Sequence, residues 1–396
     1  MNILMVIYSP LGLGGAEVST LSLAEELQKR GHAVYIASTE GYPRITTLRF
    51  SKYRKIPLYS IHNLYLKNFL TMTIRKKKID IVHAQDRLTS VPAILAAEMC
   101  NIPCVVHFRD YWFACPKSSC LRKDFKECTA CKIIDITKCS NTWYRIPWDV
   151  RKSLYLRKCR KILNRADAKI AVSTAVKQKL KELRIHDNIK VIHNGRHAPP
   201  RLKQSKKDGT EINIVFFGSF FETKGIRNII QVMKNIVETN SNVRFTMVGD
   251  GPLYNEVQQF IRHYNLNQFS TLGKLRHEEV WEVYQSADIV VLPSIWAEPF
   301  SGVILETMFS GKPIVASNKG GMLDVISDGQ TGFLVNPLDL RQWEQQIQTL
   351  IDSQELRENM GRNALVRAKE FTPEKIAEQT ELVYSDVVRK RGGTAP

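Results

Sequence analysis

The sequence predicts an α/β protein built of two Rossmann-like domains in tandem. Three observations carry that reading. Short apolar segments of strand length alternate with amphipathic helical stretches along most of the chain. The series halts at a polar, turn-rich break over 196–211 and then begins again. Several of the apolar segments run directly into glycine-rich loops, as strands of a doubly wound sheet do where they deliver a ligand. At 396 residues the chain also exceeds the roughly 250–300 residues at which a single core stops growing.

The elements follow in order. "NILMVIY" reads as a buried first strand, "SPLGLGGAE" as a glycine loop, and "VSTLSLAEELQKRGH" as an amphipathic helix closed by Gly31. "AVYIAS", "IDIVHAQ" and "PCVVHF" are further strands, and "KIAVST" and "KVIHNG" follow a basic helical stretch. After the break, "INIVFFGS", "VRFTMVGD", a short "STLGKL", "DIVVLPS", "PIVASN" and "GFLV" read as strands, with helices near 225–238, 253–264, 277–286 and 302–310. The expected organisation is a first domain over 1–195, a linker over 196–211 and a second domain over 212–370. The segment 371–396, helical around 373–390 and without a strand partner, is expected to pack back on the first domain. Ligands of open α/β sheets lie beyond the carboxyl ends of the strands, so both domains are expected to aim their loops into a shared cleft.

Composition bounds the class. With 43% hydrophobic and 24% charged residues and no low-complexity tract, the chain reads as an ordinary globular protein. "MNILMVIYSP" is apolar but short and lacks a basic leader, so it reads as a strand and not as a signal peptide. No apolar run approaches the roughly 20 residues of a spanning helix, and a cytoplasmic protein is expected. The net charge of +18 is unevenly placed. Residues 1–200 hold 35 Lys and Arg against 15 Asp and Glu, whereas 201–396 hold 22 against 24, so the two halves are expected to meet different partners. A nucleic-acid binder would explain the charge alone, but no recognition motif is present and the second half is near neutral.

Four loops are built for a phosphorylated ligand. "GLGGAE", Gly12 to Glu17, brings backbone amides and a helix N-terminus to an anion. "GSFFETKG", Gly218 to Gly225, follows a strand and sets Lys224 at a helix start, where it can pair with a diphosphate. "VGDGP", Val248 to Pro252, is a further glycine turn. In "SIWAEPFSGVILETMFSGKP" the chain turns through Glu298 and Pro299 into a helix starting near Ser301, so amides of Phe300 to Val303 emerge from its N-terminus and Glu306 lies about one turn inside. Carboxylates in such a place suit the donor-rich edges of riboses and sugars.

These residues resemble a family. The spacing E-P-F-x-G-x3-E, followed by "SGKPIVASNKGG" and "DGQTGFLV", is similar to the donor half of retaining GT-B glycosyltransferases of family 4 (glycosyl transferases group 1). "GLGGAE", "VIHNG", "GSFFETKG", "VGDGP" and "ADIVVLPS" stand in that family's order. The likeness is specific over 212–336 and looser over 40–160. It implies a retaining transfer of a sugar from a UDP- or GDP-linked donor to a hydroxyl, with no metal or other cofactor needed for catalysis. It further implies that Glu306 binds the ribose hydroxyls, and that Glu298 holds the transferred sugar with the backbone of Phe300, Ser301 and Gly302. Lys224 would neutralise the diphosphate in the loop of Gly218 and Ser219, and Gly14 and Gly15 would reach it from the first domain. His107 matches the histidine beside the reacting sugar, and Asp110 is placed to share its role. The sequence departs from the family at Ser219, where arginine is usual and Arg227 is the available substitute, at Ser301 in place of glycine, and at Arg196, where a small apolar residue is common.

Such a donor needs no carboxylate nucleophile of the glycosidase kind. Charge growing on the departing diphosphate is met by Lys224 and helix amides, and the acceptor proton passes to that phosphate. A nucleotide-sugar isomerase (epimerase) on the same frame is the alternative; it needs an acid/base carboxylate pair in the first domain, and no convincing pair is seen.

Two features remain. Five of the eight cysteines fall between Cys115 and Cys139, within an apolar-poor insertion at about 113–140. Cys115, Cys120, Cys128 and Cys131 read C-x4-C-x7-C-x2-C, which fits a structural zinc site, with Cys139 able to replace one ligand. Free buried thiols and a redox or iron–sulfur role are the other readings. Finally, "KKK" at 76–78 and "RKSLYLRKCRKILNRADAK" at 151–169 mix basic and apolar side chains, as a segment lying on an anionic bilayer does. The expected acceptor is therefore lipid-linked or an envelope polysaccharide, reached by a peripheral enzyme on the inner face of the membrane.

Overall fold

A computed structural model describes residues 1–8, 14–51, 59–122, 124–128, 136, 139, 146–199 and 210–392. The chain divides into two compact units, Met1–Arg196 with Thr372–Pro396, and His197–Phe371.

The first unit is a seven-stranded parallel sheet. Its strands are β1 (Asn2–Val6), β2 (Ala33–Ser38), β3 (Thr46–Arg49), β4 (Ile81–Ala84), β5 (Cys104–Phe108), β6 (Ala168–Ala171) and β7 (Ile189–Val191). Their order is β3-β2-β1-β4-β5-β6-β7. β1, β4 and β5 are buried almost throughout, as strands covered on both faces must be, which is why they read as continuous apolar runs. β3 has no such run. "TTLR" sits at the sheet edge with no side chain fully buried, so its apolar signal is absent and the sequence reading misses it.

The helix Pro373–Lys390 belongs to this unit. Ile376, Ala377, Val383, Tyr384 and Val387 join Ile3, Leu23 and Leu27 in one core cluster. At its surface Glu381 meets Arg30 at 2.5 Å and His32 at 2.7 Å. The helix Ile146–Leu163 turns Ser153, Leu156, Cys159 and Leu163 inward. Two of the apolar residues expected to face a bilayer, Leu156 and Leu163, are therefore spent on the fold. Pro147, Trp148, Arg151, Leu154, Arg157, Lys158 and Lys161 are exposed, and four of these seven, Arg151, Arg157, Lys158 and Lys161, form a basic stripe.

The second unit repeats the topology with six parallel strands. These are β8 (Ile212–Phe217), β9 (Val243–Val248), β10 (Phe269–Gly273), β11 (Ile289–Leu292), β12 (Ile314–Ser317) and β13 (Gly332–Val335), in the order β10-β9-β8-β11-β12-β13. Phe216, Phe220, Phe245 and Trp343 fill the core on one side of this sheet, with Ile229, Met233 and Ile236 of the helix Ile226–Thr239. In both sheets the winding reverses beside the first strand, between β1 and β4 and between β8 and β11. A doubly wound sheet opens a crevice at that point, just beyond the carboxyl ends of those strands.

Candidate active site

In the second unit the crevice at β8 and β11 is lined by the chain leaving each strand. Residues after β8 form a short 3-10 turn, Glu222–Lys224, ended by Gly225 in the left-handed region at φ 72°. A side chain there would collide with the carbonyl of Pro293, so glycine serves both the turn and the close approach of the two loops. The Ile295 amide donates to the Thr223 carbonyl at 2.8 Å, locking the β11 loop to the β8 loop. Gly320, also left-handed at φ 64°, packs against the backbone of Ala297 and Glu298, and the Gly321 amide donates to the Glu298 carbonyl at 2.7 Å.

This frame fixes the side chains. Lys224 Nζ lies 2.7 Å from Glu298 Oε1, and Ser294 Oγ also donates to that oxygen. Glu298 is only 5% exposed, so its charge is held by this pair of partners in place of water. Trp296 lies under the Lys224 ammonium, 6.0 Å from nitrogen to ring centre. The helix Gly302–Phe309 begins immediately afterwards, with Ser301 as its N-cap residue. No side chain caps its first amides and no acidic residue lies in its first turn. Its N-terminal N–H groups therefore keep the donor capacity that suits a phosphate or hydroxyl oxygen. Glu306 lies one turn in, with the Tyr284 hydroxyl 3.4 Å from Oε2. Sequence spacing alone singled out Lys224, Glu298 and Glu306, but not their supports Ser294, Trp296 and Tyr284, whose roles depend on loops meeting in space.

Gly218 and Ser219 open the β8 loop, and the Gly218 amide donates to the Val248 carbonyl at 3.0 Å. Arg227, the substitute suggested for the arginine missing at Ser219, is committed elsewhere. It grips Glu256 with Nε at 2.6 Å and Nη2 at 2.8 Å, and its Nη1 meets Glu222.

In the first unit the corresponding edge is polar and deeply set. Gly14 is the N-cap of the helix Gly15–Lys29; Gly12 lies outside the described residues. His107, on β5, is 1% exposed, and neither of its ring nitrogens has a hydrogen-bond partner among the described residues. Burial holds it well below the usual histidine range, aided by the Arg109 guanidinium and His83, so the imidazole is neutral. Its ring stacks on that of His83 at 5.5 Å, and His83 Nδ1 lies 2.6 Å from the hydroxyl of Tyr384. Asp110 follows β5 and accepts from the Trp112 amide at 2.6 Å. Burial raises its pKa to about 6, with the Trp112 amide and Arg87 opposing. Gln85, on the loop after β4, receives Arg109 Nε and Nη2 at 3.2 and 2.8 Å, another contact that no motif announced.

The cysteine insertion is described in part. Cys115, Cys120, Cys128 and Cys139 line one small cavity with Ala114 and Ile136, while Cys131 lies outside the described residues. Cys115 and Cys120 share a thiol hydrogen bond, which lowers Cys115 to about 6. Among the described residues no group of three or more His, Cys, Asp or Glu side chains converges to hold a metal ion. The expected zinc set gains no support from them. Nor, among the described residues, is any helix long and apolar enough to cross a membrane.

Comparison with known proteins fits this geometry. A model of Glycosyltransferase Family 4 matches residues 13–197, and a model of Glycosyl transferases group 1 matches 199–367. An uncharacterized glycosyltransferase of Methanocaldococcus jannaschii is 30% identical over 226 residues, which are 56% of this chain and 60% of that protein. A second one from the same organism is 24% identical over 424 residues, covering 99% of this chain and all of that one. The chain thus spans less than two thirds of the first relative and the full length of the second. HepE of Anabaena, crystallised with UDP, superposes with a TM-score of 0.74 at 21% identity, over 98% of this chain and 100% of that one. Two adjoining family matches, one for each unit, and a shared fold over the whole length make this chain a glycosyltransferase of the GT-B fold.

Proposed function

We propose that the protein is a retaining glycosyltransferase that moves a sugar from a nucleoside-diphosphate donor, UDP- or GDP-linked, to a hydroxyl of a lipid-linked or envelope-polysaccharide acceptor. The observation that carries the donor half is the Lys224–Glu298 pair at the crevice of β8 and β11, beside the uncapped N-terminus of Gly302–Phe309. A cation and a row of amides there suit a diphosphate, and the two carboxylates suit hydroxyls. That HepE is described in complexes with UDP and with UDP-glucose supports a uridine donor on this frame.

In this reading Lys224, with the Gly218–Ser219 loop, takes the diphosphate. Glu306 takes the ribose, and Glu298, with the backbone of Phe300, Ser301 and Gly302, takes the sugar. From the first unit, Gly14 and Gly15 are assigned to the diphosphate, and His107 and Asp110 to the transferred sugar. A neutral His107 presents one N–H donor and one bare nitrogen, which suits a sugar hydroxyl better than an imidazolium would. The leaving diphosphate is stabilised by Lys224 and the helix amides, which supply positive charge without a metal ion. The exposed basic stripe of Ile146–Leu163 supports a peripheral position on an anionic membrane.

The test is incubation of the purified chain with UDP- and GDP-sugars and a lipid extract. Transfer with the donor's anomeric configuration kept in the product, in the presence of a chelator, is the expected result. Inversion of that configuration, or transfer abolished by the chelator and restored by a divalent cation, overturns it.

A further inference from the structure

The two donors on Glu298 meet the same oxygen. Lys224 Nζ lies 2.7 Å from Oε1, and Ser294 Oγ donates to Oε1 as well. No hydrogen bond or ion pair to Oε2 occurs among the described residues. The donors also differ in how they are held. Ser294 is 3% exposed, whereas the Lys224 side chain keeps 24% of its surface accessible. Ser294 follows β11 between Pro293, whose carbonyl packs against Gly225, and Ile295, whose amide donates to the Thr223 carbonyl at 2.8 Å. Its backbone is thus fixed on both sides. Lys224 reaches the carboxylate from the end of a flexible four-carbon stem. Glu298 is itself pinned, its amide donating to the Trp296 carbonyl at 2.9 Å and its carbonyl accepting from the Gly321 amide at 2.7 Å.

A carboxylate as buried as Glu298 keeps its charge only while donors replace the water it has lost. A diphosphate drawn to Lys224 takes part of that support away at the step when the carboxylate has a sugar to hold. Ser294 cannot follow the phosphate, because its backbone is locked and its single O–H is spent on Oε1. With Oε1 tethered, the carboxyl group cannot turn freely about its last torsion. Oε2 is then the oxygen left for a ligand hydroxyl.

We infer that Ser294 is a positioning residue, whose hydroxyl keeps Glu298 aimed at the transferred sugar once Lys224 is engaged by the diphosphate. This rests on the glycosyltransferase reading, in which Glu298 holds the sugar. Ser294→Ala is compared with the wild type by calorimetry with UDP and GDP, and by transfer from the UDP- or GDP-sugar that the wild type uses best. Nucleotide affinity should stay within about twofold while kcat falls about tenfold or more. A kcat within about twofold of the wild type overturns the inference. So does a loss of nucleotide affinity as large as the loss of kcat, which is what a merely structural role would give. A second arm needs no substrate. Ser294→Ala should lower the melting temperature more in a Lys224→Ala background than in the wild type, because Glu298 then keeps neither donor. Equal decrements in the two backgrounds overturn the inference as well. Ser294→Cys keeps the volume and weakens the donor, and it replaces Ser294→Ala if that variant does not fold. Normal turnover of Glu298→Ala would instead strike the sugar assignment, a separate outcome. If no sugar is transferred, the transferase reading fails, and the melting arm still decides whether Ser294 holds Glu298.

Discussion

Lys224 Nζ and Glu298 Oε1 stand 2.7 Å apart although 74 residues separate them in sequence. The pairing exists because β8 and β11 are neighbours at the point where the sheet reverses, so the loops leaving them meet. Without a donor, the cation rests on the carboxylate that is assigned to the sugar. A diphosphate offers Lys224 a second anion, leaving Glu298 oxygen capacity for hydroxyls. Lys224→Ala should weaken UDP binding by about 1.5–3 kcal/mol, the worth of a charged hydrogen bond. It should also lower stability, because Glu298 is left buried with Ser294 as its remaining partner among the contacts described. Calorimetry with UDP and a thermal melt check the two effects, and unchanged UDP affinity removes Lys224 from the site.

Glu298 and Glu306 should separate by what each mutation damages. Glu306→Ala is expected to cost nucleotide binding itself about 1.5–3 kcal/mol, since ribose hydroxyls lose a charged acceptor. Glu298→Ala should leave free nucleotide binding nearly intact and cut turnover, since its role is with the sugar. Titration of nucleoside diphosphate into both variants, beside their transfer rates, reads the difference. Normal binding and normal transfer in both would dismiss the assignment.

The loops assigned to the donor could be marked in the sequence because they lie directly after apolar strands. Pro299 and the glycines at 218, 225, 320 and 321 mark turns and close approaches that few other residues permit. The supports were not legible. Ser294 and Trp296 sit inside the same quoted stretch, yet nothing in their spacing says that one will donate to Glu298 and the other underlie Lys224. The first unit was less readable still. His83 with Gln85, Asn194, and Tyr384 come from three separate segments, and only the fold brings them beside His107 and Arg109. β3 was missed for the opposite reason, since an edge strand needs no apolar run. The basic helix misled by composition, because its interleaved leucines looked free to meet lipid until the fold claimed Leu156 and Leu163.

Asp110 should make stability depend on pH. Burial raises its folded pKa to about 6, above its ordinary value of 3.8. The folded state therefore holds the proton more tightly than the unfolded state does. Stability from this group is fully present below about pH 4 and is lost as pH rises through about 6. Asp110→Asn cannot ionise, so the difference in melting temperature, variant minus wild type, should grow between pH 4 and pH 7. A difference that stays flat over that range would mean that Asp110 ionises in the folded protein as it does in water.

Membrane attachment, if it rests on the helix Ile146–Leu163, should be carried more by its charges than by apolar insertion. Leu156 and Leu163 are buried in the protein, which leaves Trp148 and Leu154 as its exposed large apolar side chains beside the outward-facing Arg151, Arg157, Lys158 and Lys161. Each basic residue near an anionic surface contributes about 1 kcal/mol, so four such residues are worth about 4 kcal/mol, and salt screens that attraction within about a nanometre. Arg160 does not belong to this set. It donates to the carbonyls of Phe113 at 3.0 Å and Ala114 at 3.3 Å, so it anchors the start of the cysteine insertion, and its loss would confuse binding with folding. The informative variant is therefore Arg157→Glu, Lys158→Glu and Lys161→Glu with Arg160 kept. In flotation with liposomes, the wild type should bind more as anionic lipid increases and should be released by salt. The triple variant should stay with the soluble fraction while its melting temperature is little changed. Binding that resists high salt would point instead to insertion of the exposed Trp148 and Leu154. Recovery of wild type in the soluble fraction with both neutral and anionic vesicles at low salt would remove the membrane from the proposal.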